Sequence, residues 1–583
     1  MIDHDPLQRV LYIDLSKRRF WIRHRPDLFD KYLGGAGIAS VLLHEDCPEG
    51  VDPLSPENPI ILAVGPLVGV FPMASKTVAM FKSPHTGNLG ESHAGGRSAI
   101  SIRMAGYGAI VIKGASDIPV YLSIFGDKVQ FCDARALWGM KTHVAGRVIR
   151  EREKKPGARS IMRIGPGGEN LVSYACVVTE TYRHFGRLGL GAVFGSKKLK
   201  AIVVGGRRSL EVTDKKAYKR AYDEVFKRIL NTPSLKKYHD LGTSVNVLPL
   251  NRKQALPTCN LKKAFFEQAQ SISGENLACH FLGRRLACAH CPIACIHLAA
   301  LRTPYEDESY FYKTTFISYD YELIYSLGSM LGIGSPEGLL KLLDAVECMG
   351  IDAISTGVAL AWATEAFERG MISEKETLGL KPAWGDFKTY IAMIRNIVGQ
   401  QGEFYKALAR GAEHASELYG GKDFALAFGK NEMPGYHTGY GGHLTFLTGA
   451  RHSHLDSAGY SYDQRLRPEE ITPDNLAHNL FNEECYRQIL SSLVICFFAR
   501  SVYDYQTIAD LLPLLGYNLT EPELRRLGKA ILRKKYEFKF REGFSLDKLR
   551  IPKRILETIS PQGQLKEDFL KRAIAAYKKL LLK

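Results

Sequence analysis

Long apolar runs are missing from this 583-residue sequence. No stretch of 18 consecutive apolar residues occurs, so no membrane-spanning helix is predicted. Residues 1–6 are acidic and lack the apolar segment of a secretory signal. Apolar residues still make up 45% of the chain, which is enough for a large core at this length. We therefore expect a globular, cytoplasmic protein of about two to four domains.

Cysteine is also scarce, with 11 residues in the whole chain. A secreted protein held together by disulfides would contain a higher proportion, so the sequence predicts reduced thiols in a reducing compartment. Seven cysteines are isolated in the sequence, and we interpret them as ordinary reduced residues: Cys47, Cys132, Cys176, Cys259, Cys279, Cys348 and Cys485.

Three other cysteines are clustered with C-x2-C-x3-C spacing, namely Cys288, Cys291 and Cys295. This spacing allows three thiolates of one tight loop to converge on a single centre, as an iron–sulfur cluster or a zinc ion requires. A cubane cluster needs a fourth ligand, and Cys496 is the best candidate, about 200 residues later. A zinc site could instead be completed by His290 or His297. The spacing favours the cluster and leaves zinc or structural cysteines as alternatives.

The sequence contains no internal repeat, no low-complexity segment and no nucleotide-binding fingerprint. Long basic runs are absent too, although 78 Lys and Arg against 61 Asp and Glu give a formal net charge of +17. The cations occur in short groups at residues 17–19, 197–198, 284–285 and 534–535. Such groups do not make a nucleic-acid-binding tail. An acidic partner protein, an anionic cofactor or a solvated basic surface would each account for the excess.

The pattern of apolar residues changes near residue 210. Before it, short alternating segments predict strands, including hairpins over residues 10–22 and 120–131. After it, apolar residues at three- and four-residue spacing predict helices at residues 214–231, 335–348, 355–370, 386–400 and 566–582. We therefore predict an α+β multidomain chain with a β-rich domain at residues 1–210. Two mainly helical domains follow, at 211–420 with the clustered cysteines and at 421–583 with Cys496.

Glycine marks several loops of the first predicted domain, at residues 34–35, 95–96, 165–168 and 186–195. Glycine permits positive φ angles and a close approach of the backbone to a ligand. Lysines follow the last of these loops, at positions 197, 198 and 200. Taken alone, glycines with lysines are a weak signal for anion binding, because such a loop often serves only as a turn.

Together with the clustered cysteines, these loops resemble the tungsten-containing aldehyde:ferredoxin oxidoreductase family. The matching motifs follow the family order at residues 53–58, 65–67, 105–107, 165–172, 186–202, 288–295, 327–333 and 350–357. The resemblance implies a pair of β-sheets that forms the base for two pterins sharing one tungsten or molybdenum, in the form without a guanine nucleotide. It also implies two helical domains that close over this base and carry a [4Fe–4S] cluster, with Cys288, Cys291, Cys295 and Cys496 as ligands.

The resemblance implies an activity as well. An aldehyde would be oxidised to a carboxylic acid with water as the oxygen source, and electrons would leave through the cluster to ferredoxin or a ferredoxin-like iron–sulfur subunit. The basic net charge suits an acidic carrier, and both a homodimer and a hetero-oligomer are compatible with it. One alternative within the family reduces another substrate, such as an activated carboxylate or an aromatic thioester. A remote alternative is an iron–sulfur protein that binds nucleic acid.

The resemblance assigns cofactor contacts to individual residues. The family holds each pterin with a segment of the pattern D-x-x-G-L-(D/C). The first segment here retains a carboxylate at its leading position and consists of Glu347, Cys348, Met349, Gly350, Ile351 and Asp352. The second, residues 491–496, keeps Ile495 and Cys496 but has lost the leading Asp and the Gly. The remaining contacts are assigned to Gly95, Gly96, Arg183, Gly186, Arg187, Gly189 and Gly191.

Other matched positions carry changed residues. Lys76 stands where the family has an arginine that bridges cluster and pterin, and lysine keeps the charge without the planar fork. His93 stands where an asparagine helps to hold a magnesium ion that bridges the pterin phosphates. The iron-binding E-x-x-H of some family dimers is replaced by Lys341 and Asp344 at its ends, so we do not expect that iron.

The resemblance makes Glu322 and a histidine of residues 451–454 the catalytic candidates. A carboxylate beside a metal-bound oxygen can take a proton from water, and a histidine can pass that proton on. His452 aligns best with the family histidine, and His454 is close enough to compete. Glu322 precedes an apolar run at residues 323–328 that should bury it near a helix end. We therefore expect burial to raise the pKa of Glu322 and make it a better base near pH 7.

Overall fold

The computed structural model of the chain describes residues 2–3, 6–154, 157–305, 308–465 and 471–583. The chain forms two compact units. The first combines residues 1–235, 287–292 and 482–545, and the second combines residues 236–286, 293–481 and 546–583. None of the described helices is long and apolar enough to cross a membrane. The three-domain division with boundaries near 210 and 420 stays a prediction.

The first unit is built on two six-stranded sheets. Its described strands are β1 (Ile2–Asp3), β2 (Arg9–Asp14), β3 (Arg19–His24), β4 (Ile60–Ala63), β5 (Thr77–Lys82), β6 (Leu89–Ala94), β7 (Ala109–Lys113), β8 (Val120–Phe125), β9 (Lys128–Asp133), β10 (Ala158–Arg163), β11 (Val177–Thr179), β12 (His184–Phe185), β13 (Leu199–Gly206) and β14 (Glu211–Val212). One sheet has the order β3-β2-β7-β4-β5-β6, and the other has the order β12-β11-β10-β13-β8-β9. The short strands β1 and β14 pair separately.

Most neighbouring strands in these sheets are antiparallel, and the exceptions are β2 with β7 and β8 with β13. The predicted hairpins are confirmed as β2–β3 and β8–β9. Strands β4, β5 and β13 are buried along their whole length. Their near-continuous apolar sequences match this burial, because a strand covered on two faces has no solvent side to alternate with.

Helices and single turns complete the first unit. Its α-helices are Pro26–Tyr32, Gly35–Asp46, Ser98–Ala105, Thr142–Arg152, Pro166–Glu169, Leu190–Ser196, Lys215–Leu230, Tyr505–Leu511 and Glu521–Arg541. Its 3-10 turns are Pro6–Gln8, Arg135–Leu137, Phe497–Ala499 and Leu512–Leu515. The helices Pro233–Leu241 and Pro473–Ser492 run across the boundaries of the units.

Close contacts between two glycines and a distant backbone segment explain why distant parts of the chain belong to the first unit. Gly35 has a φ of +37°, and a β-carbon placed on it would lie 2.2 Å from the carbonyl oxygen of Ser491. Gly65 makes a similar approach, with its β-carbon position 2.6 Å from the carbonyl oxygen of Ser492. Only glycine fits at such distances. The N-terminal sheet region therefore packs directly on the backbone that precedes Cys496.

The second unit is mainly helical. Its α-helices are Val247–Arg252, Gly274–His280, Tyr321–Leu327, Pro336–Met349, Ala353–Glu368, Phe387–Gly399, Gly402–Leu408, Ala412–Tyr419, Tyr440–Thr448, Gly459–Asp463, Arg554–Glu557 and Glu567–Leu582. Its 3-10 segments are Gly242–Asn246, Ser329–Leu331, Lys422–Phe424 and Leu546–Lys548. The five helices predicted from periodicity are confirmed, one of them as Lys215–Leu230 in the first unit. The fold class, a β-sheet base followed by helical regions, is confirmed as well.

Five strands belong to the described part of the second unit, namely β15 (Leu282–Leu286), β16 (Ile296–Tyr305), β17 (Glu308–Ser318), β18 (Ala427–Phe428) and β19 (Asn431–Glu432). The first three form a sheet in chain order. Leu286 at the end of β15 pairs with Ile296 at the start of β16. The segment between these two residues contains the three clustered cysteines, so the ladder closes the ends of the cysteine loop.

Candidate active site and cofactor-binding residues

In the first unit, Met73 joins the cysteine loop to the segment of Cys496. The backbone N–H of Met73 donates to the carbonyl of His290 at 3.0 Å. The N–H of Cys496 donates to the carbonyl of Met73 at 2.9 Å. Met73 itself has a φ of 63°, so its two peptide groups serve two different segments. Cys288, Cys291 and Cys496, all partly exposed, therefore lie on segments that share one backbone support.

Lys76 and Gly95 lie beside the first cysteine of the loop. A β-carbon placed on Gly95 would lie 2.8 Å from Cys288 Sγ and 3.3 Å from Lys76 Nζ. Lys76 is also tied to the other cysteine segment, because its N–H donates to the carbonyl of Val494 at 3.2 Å, and Ala74 pairs with Ile495. The structure thus brings together Lys76, Gly95, Cys288 and Ile495.

Cys295 belongs to the second unit, four residues after Cys291. Its carbonyl oxygen lies 3.2 Å from Nδ1 of His297, whose Nε2 faces the carbonyl of His239 at 3.1 Å. Both ring nitrogens of His297 therefore face backbone oxygens and are not presented to a metal. His290 packs its ring against Tyr222 at 5.8 Å between centroids, and burial lowers its pKa.

Within the described residues, no three or more His, Cys, Asp or Glu side chains gather closely enough to hold one metal ion. The four ligands of a zinc ion surround one atom, whereas the four cysteines of a cubane each bind a different iron and lie farther apart. The zinc alternative therefore gains no support from the structure. The assignment of Cys288, Cys291, Cys295 and Cys496 to a cluster stays a prediction.

The glycine-rich signature has a structural role that the sequence did not distinguish. Gly189 has a φ of +85° and begins the helix Leu190–Ser196, and a β-carbon on it would lie 2.0 Å from the carbonyl of Ser173. Gly191 makes the same kind of approach to the carbonyl of Cys176 at 2.6 Å. Gly186 differs, because a β-carbon there would meet no atom within 4 Å. Open space adjoins the backbone at Gly186, as a ligand-binding loop requires.

Loop contacts place Gly186–Arg187 next to strand β6 and the Gly95–Gly96 turn. Ser92 Oγ donates to the carbonyl of Arg187 at 2.8 Å. Gly96 has a φ of +95°, and a β-carbon on it would lie 2.1 Å from Thr181 Oγ1. Arg183 lies in the same segment, where its carbonyl accepts from the N–H of Thr179 at 2.7 Å. The loop residues of the first unit that are predicted to contact the cofactor therefore lie close to one another.

Two of the lysines that follow the signature, Lys197 and Lys200, are held by atoms of the protein itself. Lys197 is fully buried and donates to the carbonyls of Pro56 at 2.8 Å and Gly114 at 3.3 Å. Burial lowers its pKa to about 7. Lys200 is buried in an ion pair with Glu169. These ammonium groups hold backbone segments together, which explains two cations of the signature without a ligand.

His93 belongs to a buried group of charged residues. Its Nε2 lies 2.7 Å from Glu91 Oε1, and Lys535 Nζ lies 2.5 Å from Glu91 Oε2. The side chains of Glu91 and Lys535 are 1% and 2% exposed. Lys535 lies on the helix Glu521–Arg541, which starts with a capping box of Thr520 and Glu523. His93 was predicted from the sequence, but its link through Glu91 to Lys535 was not, because Lys535 lies 444 positions after Glu91 in the chain.

The predicted pterin segment of the second unit is a connection between two helices. Gly350, with a φ of 71°, ends the helix Pro336–Met349. Asp352 caps the next helix, Ala353–Glu368, by accepting from the N–H of Ser355 at 2.8 Å. Each residue thus has a local structural role in addition to the predicted contact. Ile351 is buried between them, and Glu347 lies in the last turn of the first helix.

Glu322 forms the centre of a buried polar cluster in the second unit. The hydroxyl of Tyr436 donates to Glu322 Oε1 at 2.7 Å, and Nε2 of His454 lies 3.1 Å from the same oxygen. The carboxylate side chain is 15% exposed. The ring of Tyr436 stacks on Tyr460 with 4.1 Å between centroids and contacts Tyr321 at 4.9 Å. Aromatic rings thus fix the hydroxyl that holds the carboxylate.

The expected direction of the Glu322 pKa was wrong. Burial raises the pKa, as predicted, but the hydrogen bond and charge of His454 and the hydrogen bond from Tyr436 lower it by more, so the pKa lies below its usual value. Glu322 is also in the first turn of the helix Tyr321–Leu327, where the helix dipole favours a negative charge. The residue is therefore a carboxylate over the whole neutral range. The sequence showed the apolar neighbours and could not show the donors.

The structure separates the two histidine candidates. His454 contacts Glu322, and its Nδ1 is buried without a hydrogen-bond partner. His452 has a φ of 53° and turns its Nδ1 to the carbonyl of Phe446 at 2.9 Å. Its ring packs against Gly429, where a β-carbon would lie 2.3 Å from Nε2. His454, not His452, is the histidine that the structure brings to Glu322.

A buried aspartate fixes the loop that carries His454. Asp456 Oδ2 accepts from the N–H groups of Arg451 and Ser453, each at 3.0 Å, and its Oδ1 accepts from Arg451 Nε at 2.6 Å. Asp456 is 2% exposed. Neither Asp456 nor Tyr436 was predicted from the sequence. The only signal for either was its position in a segment rich in polar residues, which does not identify a contact.

The sheet base, the loop of cysteines beside Lys76 and the buried glutamate–histidine pair describe a cofactor-dependent oxidoreductase. Two family models match the sequence: "Aldehyde ferredoxin oxidoreductase, N-terminal domain" at residues 10–206 and "Aldehyde ferredoxin oxidoreductase, domains 2 & 3" at residues 220–581. The chain belongs to the aldehyde ferredoxin oxidoreductase family. The resemblance noted from the motifs is therefore confirmed, and so is the assignment to an oxidoreductase.

Individual relatives agree with the family models. The tungsten-containing aldehyde ferredoxin oxidoreductase of Pyrococcus furiosus is 32% identical over 577 residues, which cover 95% of this chain and 92% of the relative. The protein of the same description from Thermococcus kodakarensis is 32% identical over 591 residues, covering 98% and 95%. A solved active-site complex BamBC of benzoyl coenzyme A reductase with 1,5-dienoyl-CoA has a chain that superposes with a TM-score of 0.84 at 21% identity, covering 100% of this chain and 95% of that one. This last likeness shows the fold.

Proposed function

We propose that this enzyme oxidises an aldehyde to a carboxylic acid, with water as the oxygen source, and passes the electrons to ferredoxin or a ferredoxin-like iron–sulfur subunit. The reaction converts an aldehyde and water into an acid, two electrons and two protons. The observation that carries the proposal is the buried Glu322, held by Tyr436 and His454. Full-length similarity to tungsten-containing aldehyde ferredoxin oxidoreductases supports it.

Residues of the first unit fit a tungsten or molybdenum bis-pterin, and they include Cys288, Cys291 and Cys496, three of the four cysteines that would hold a [4Fe–4S] cluster. Lys76 lies beside Cys288, and open space adjoins Gly186. The loop residues that would hold the pterins are Gly95, Gly96, Arg183, Gly186, Arg187, Gly189, Gly191 and Ile495. In the second unit, Glu347, Gly350, Ile351 and Asp352 stay the predicted contacts of one pterin-binding segment. When bound, the metal–pterin supplies two-electron oxidation of a carbonyl carbon, and the cluster passes electrons on singly.

Magnesium is not part of this proposal, because the residues around His93 do not fit it. Magnesium prefers oxygen ligands in octahedral geometry. His93 offers a nitrogen, and Glu91 already interacts with His93 and Lys535 through its two oxygens. Lys535 already places a buried positive charge beside Glu91. A magnesium ion at the same position would be repelled by that charge.

The chain's own residues handle the proton. Glu322 is ionised at neutral pH because its pKa is lowered, so it can accept a proton when water attacks the aldehyde carbon. The hydroxyl of Tyr436 keeps one oxygen of Glu322 in place. His454 contacts that same oxygen through Nε2 and, as a hydrogen-bond donor, helps to keep the carboxylate ionised. The other ring nitrogen of His454, Nδ1, is buried and has no hydrogen-bond partner.

One experiment tests the proposal directly. Protein purified without oxygen should contain tungsten or molybdenum, pterin and about four iron atoms, as a single cubane requires. It should reduce a viologen dye when an aldehyde is added and form the corresponding acid. A preparation with full metal and pterin that reduces no dye with any aldehyde tested would refute the proposed substrate class. Absence of pterin would refute the cofactor.

A second candidate is reduction of an activated carboxylate or an aromatic thioester. The observation that favours it is the shared fold with the benzoyl coenzyme A reductase complex along the whole chain. A carboxylate next to a histidine could also deliver protons to a reduced substrate. The same preparation separates the candidates. Oxidation of reduced viologen on addition of an aromatic thioester, without activity towards aldehydes, would favour the reductase.

A further inference from the structure

Strand β3 of the first unit is an exposed sheet edge with an apolar centre. All six of its residues, Arg19–His24, are exposed, including Phe20 at 39%, Trp21 at 42% and Ile22 at 36%. In the described chain β3 pairs with β2 alone, in regular antiparallel register without a bulge. Such an edge offers a row of backbone donors and acceptors to another strand. Soluble proteins normally protect edges with bulges, prolines, short length or charged side chains, and β3 has only the charges of Arg19 and Arg23.

The side chains on one face of β3 have a defined pattern. Residues two apart share a face of a strand, so Arg19, Trp21 and Arg23 lie together. Trp21 stacks on Tyr12 of β2 with 5.5 Å between centroids and 7° between planes. The guanidinium of Arg23 lies 5.1 Å above the same ring of Tyr12. This packing fixes an aromatic residue between two cations on the edge of the sheet.

Two carboxylates lie near these cations, and each has other partners. Asp46 interacts electrostatically with Arg23 and also pairs with Lys113 at 3.6 Å. Asp14, which is opposite Arg19 in the ladder, accepts hydrogen bonds from the N–H groups of Ser16 and Lys17 in the hairpin turn. Lys17 and Arg18, in the same turn, are 72% and 46% exposed and pair with Asp14 at 3.9 Å and Asp117 at 2.7 Å, so they add little charge to the edge. The basic character of the edge therefore comes from Arg19 and Arg23, on either side of an apolar centre.

We propose that β3 is the docking site for an extended segment of an acidic partner protein, which adds to the sheet as a further strand. Main-chain hydrogen bonds would supply the pairing, as in other cases of strand addition. The segment would carry two carboxylates four residues apart, opposite Arg19 and Arg23, with an apolar side chain between them opposite Trp21. Cross-strand pairs of opposite charge stabilise such an arrangement. The proposal is independent of the redox reaction proposed above.

A second copy of this chain fits the edge less well. A two-fold interface brings the same surface of each copy together. Antiparallel pairing of two β3 strands about Trp21 would place Arg19 of each copy opposite Arg23 of the other. Like charges directly opposite each other are destabilising. The charge pattern therefore favours an acidic partner over self-association.

Two synthetic peptides test the proposal on the full-length protein. The first is the blocked peptide Thr-Glu-Thr-Val-Thr-Glu-Thr, and the second has lysine in place of each glutamate. The acidic peptide should slow hydrogen–deuterium exchange of the amides in β3. It should also bind about tenfold or more tightly than the basic peptide, which places lysines opposite the arginines. Equal binding of the two peptides, or protection outside β3, would overturn the proposal.

Variants of the edge separate charge recognition from folding. Arg19→Glu/Arg23→Glu should reverse the order of the two peptides, and Arg19→Gln/Arg23→Gln should abolish the difference while leaving the strand apolar at its centre. The matched control is Lys571→Glu/Arg572→Glu, which reverses two exposed cations on the C-terminal helix and should keep the wild-type order. Unchanged preference in the reversed variant would overturn the proposal. The proposal would also be overturned if the wild type sedimented as a dimer in which β3 is protected from exchange and the reversed variant sedimented as a monomer.

Discussion

Replacing Tyr436 by phenylalanine would remove one hydroxyl and leave its packing intact. That hydroxyl donates to Glu322 at 2.7 Å, and the ring stacks on Tyr460 and contacts Tyr321. Phenylalanine keeps the ring and loses the donor. Because the hydrogen bond from Tyr436 helps to lower the pKa of Glu322 against the effect of burial, the pKa should rise in the variant. Protonation would then remove the base at a higher pH than in the wild type.

The size of this effect follows from the hydrogen bond. A hydrogen bond to a charged group contributes about 1.5–3 kcal/mol, and each pKa unit corresponds to about 1.36 kcal/mol. The acid limb of kcat/KM should therefore move up by about one to two pH units. At pH 8, where Glu322 stays ionised, the loss of activity should be less than about tenfold. His454 still contacts the carboxylate in the variant, so the pair is weakened and not destroyed.

The assay is aldehyde-dependent reduction of a viologen dye between about pH 4 and 9, with metal and iron measured on the same preparation. Tyr325→Phe is the matched control, because the hydroxyl of Tyr325 donates to the carbonyl of Met433 at 3.0 Å, and the variant removes a buried hydroxyl while keeping the ring. Its acid limb should stay where it is in the wild type. An unmoved acid limb in Tyr436→Phe, together with a uniform loss of rate, would refute the assigned role of Tyr436 and with it the lowered pKa of Glu322.

Other changes have equally definite outcomes. Glu322→Gln should lower kcat by about 10²–10⁴-fold at neutral pH while iron and tungsten stay normal, and loss of either metal would mark the residue as structural. Cys496→Ala should lose iron whereas Cys485→Ala should not, and EPR with iron analysis would expose a wrong ligand if the first variant kept its full complement. Electron transfer to ferredoxin should slow between about 0.1 and 0.5 M salt as screening increases, whereas reduction of a neutral dye should not; equal sensitivity would argue against electrostatic docking. Burial lowers the pKa of His437 to about 4 and that of His443 well below its usual value, so stability should fall as the pH drops from about 6.5 towards 4, where the unfolded chain binds more protons. His443→Phe should show a smaller fall in Tm over that range, and an unchanged fall would contradict this account.

Local patterns were sufficient for much of the fold. The β2–β3 hairpin follows from two alternating segments around a polar turn, and the helix Pro336–Met349 follows from apolar spacing between Ser335 and Gly350. These features depend on residues close together in the sequence. The change from strands to helices near residue 210 is visible for the same reason.

The site depended on contacts that no local pattern contains. Tyr436 is 114 positions from Glu322, and Lys535 is 444 from Glu91. The choice between His452 and His454 depended on a backbone turn at φ 53° and on the cap that Asp456 provides. The sign of the Glu322 pKa shift depended on donors at those distances. The burial of Glu322 could be predicted from neighbouring residues in the sequence. The hydrogen-bond donors that outweigh the effect of burial on its pKa could not.

The two hydrogen bonds of Met73 have a consequence for the biogenesis of the enzyme. They fasten together segments that a ribosome releases far apart in time, since Cys496 follows Cys295 by 201 residues. At about 5–20 residues per second, synthesis of that interval takes about 10–40 s. During this time the nascent chain contains Cys288, Cys291 and Cys295, but the proposed fourth ligand, Cys496, has not yet been synthesised. Insertion of iron and sulfide into a growing chain would therefore yield an incomplete centre, and maturation factors should act after residue 496 has emerged and its amide has found Met73.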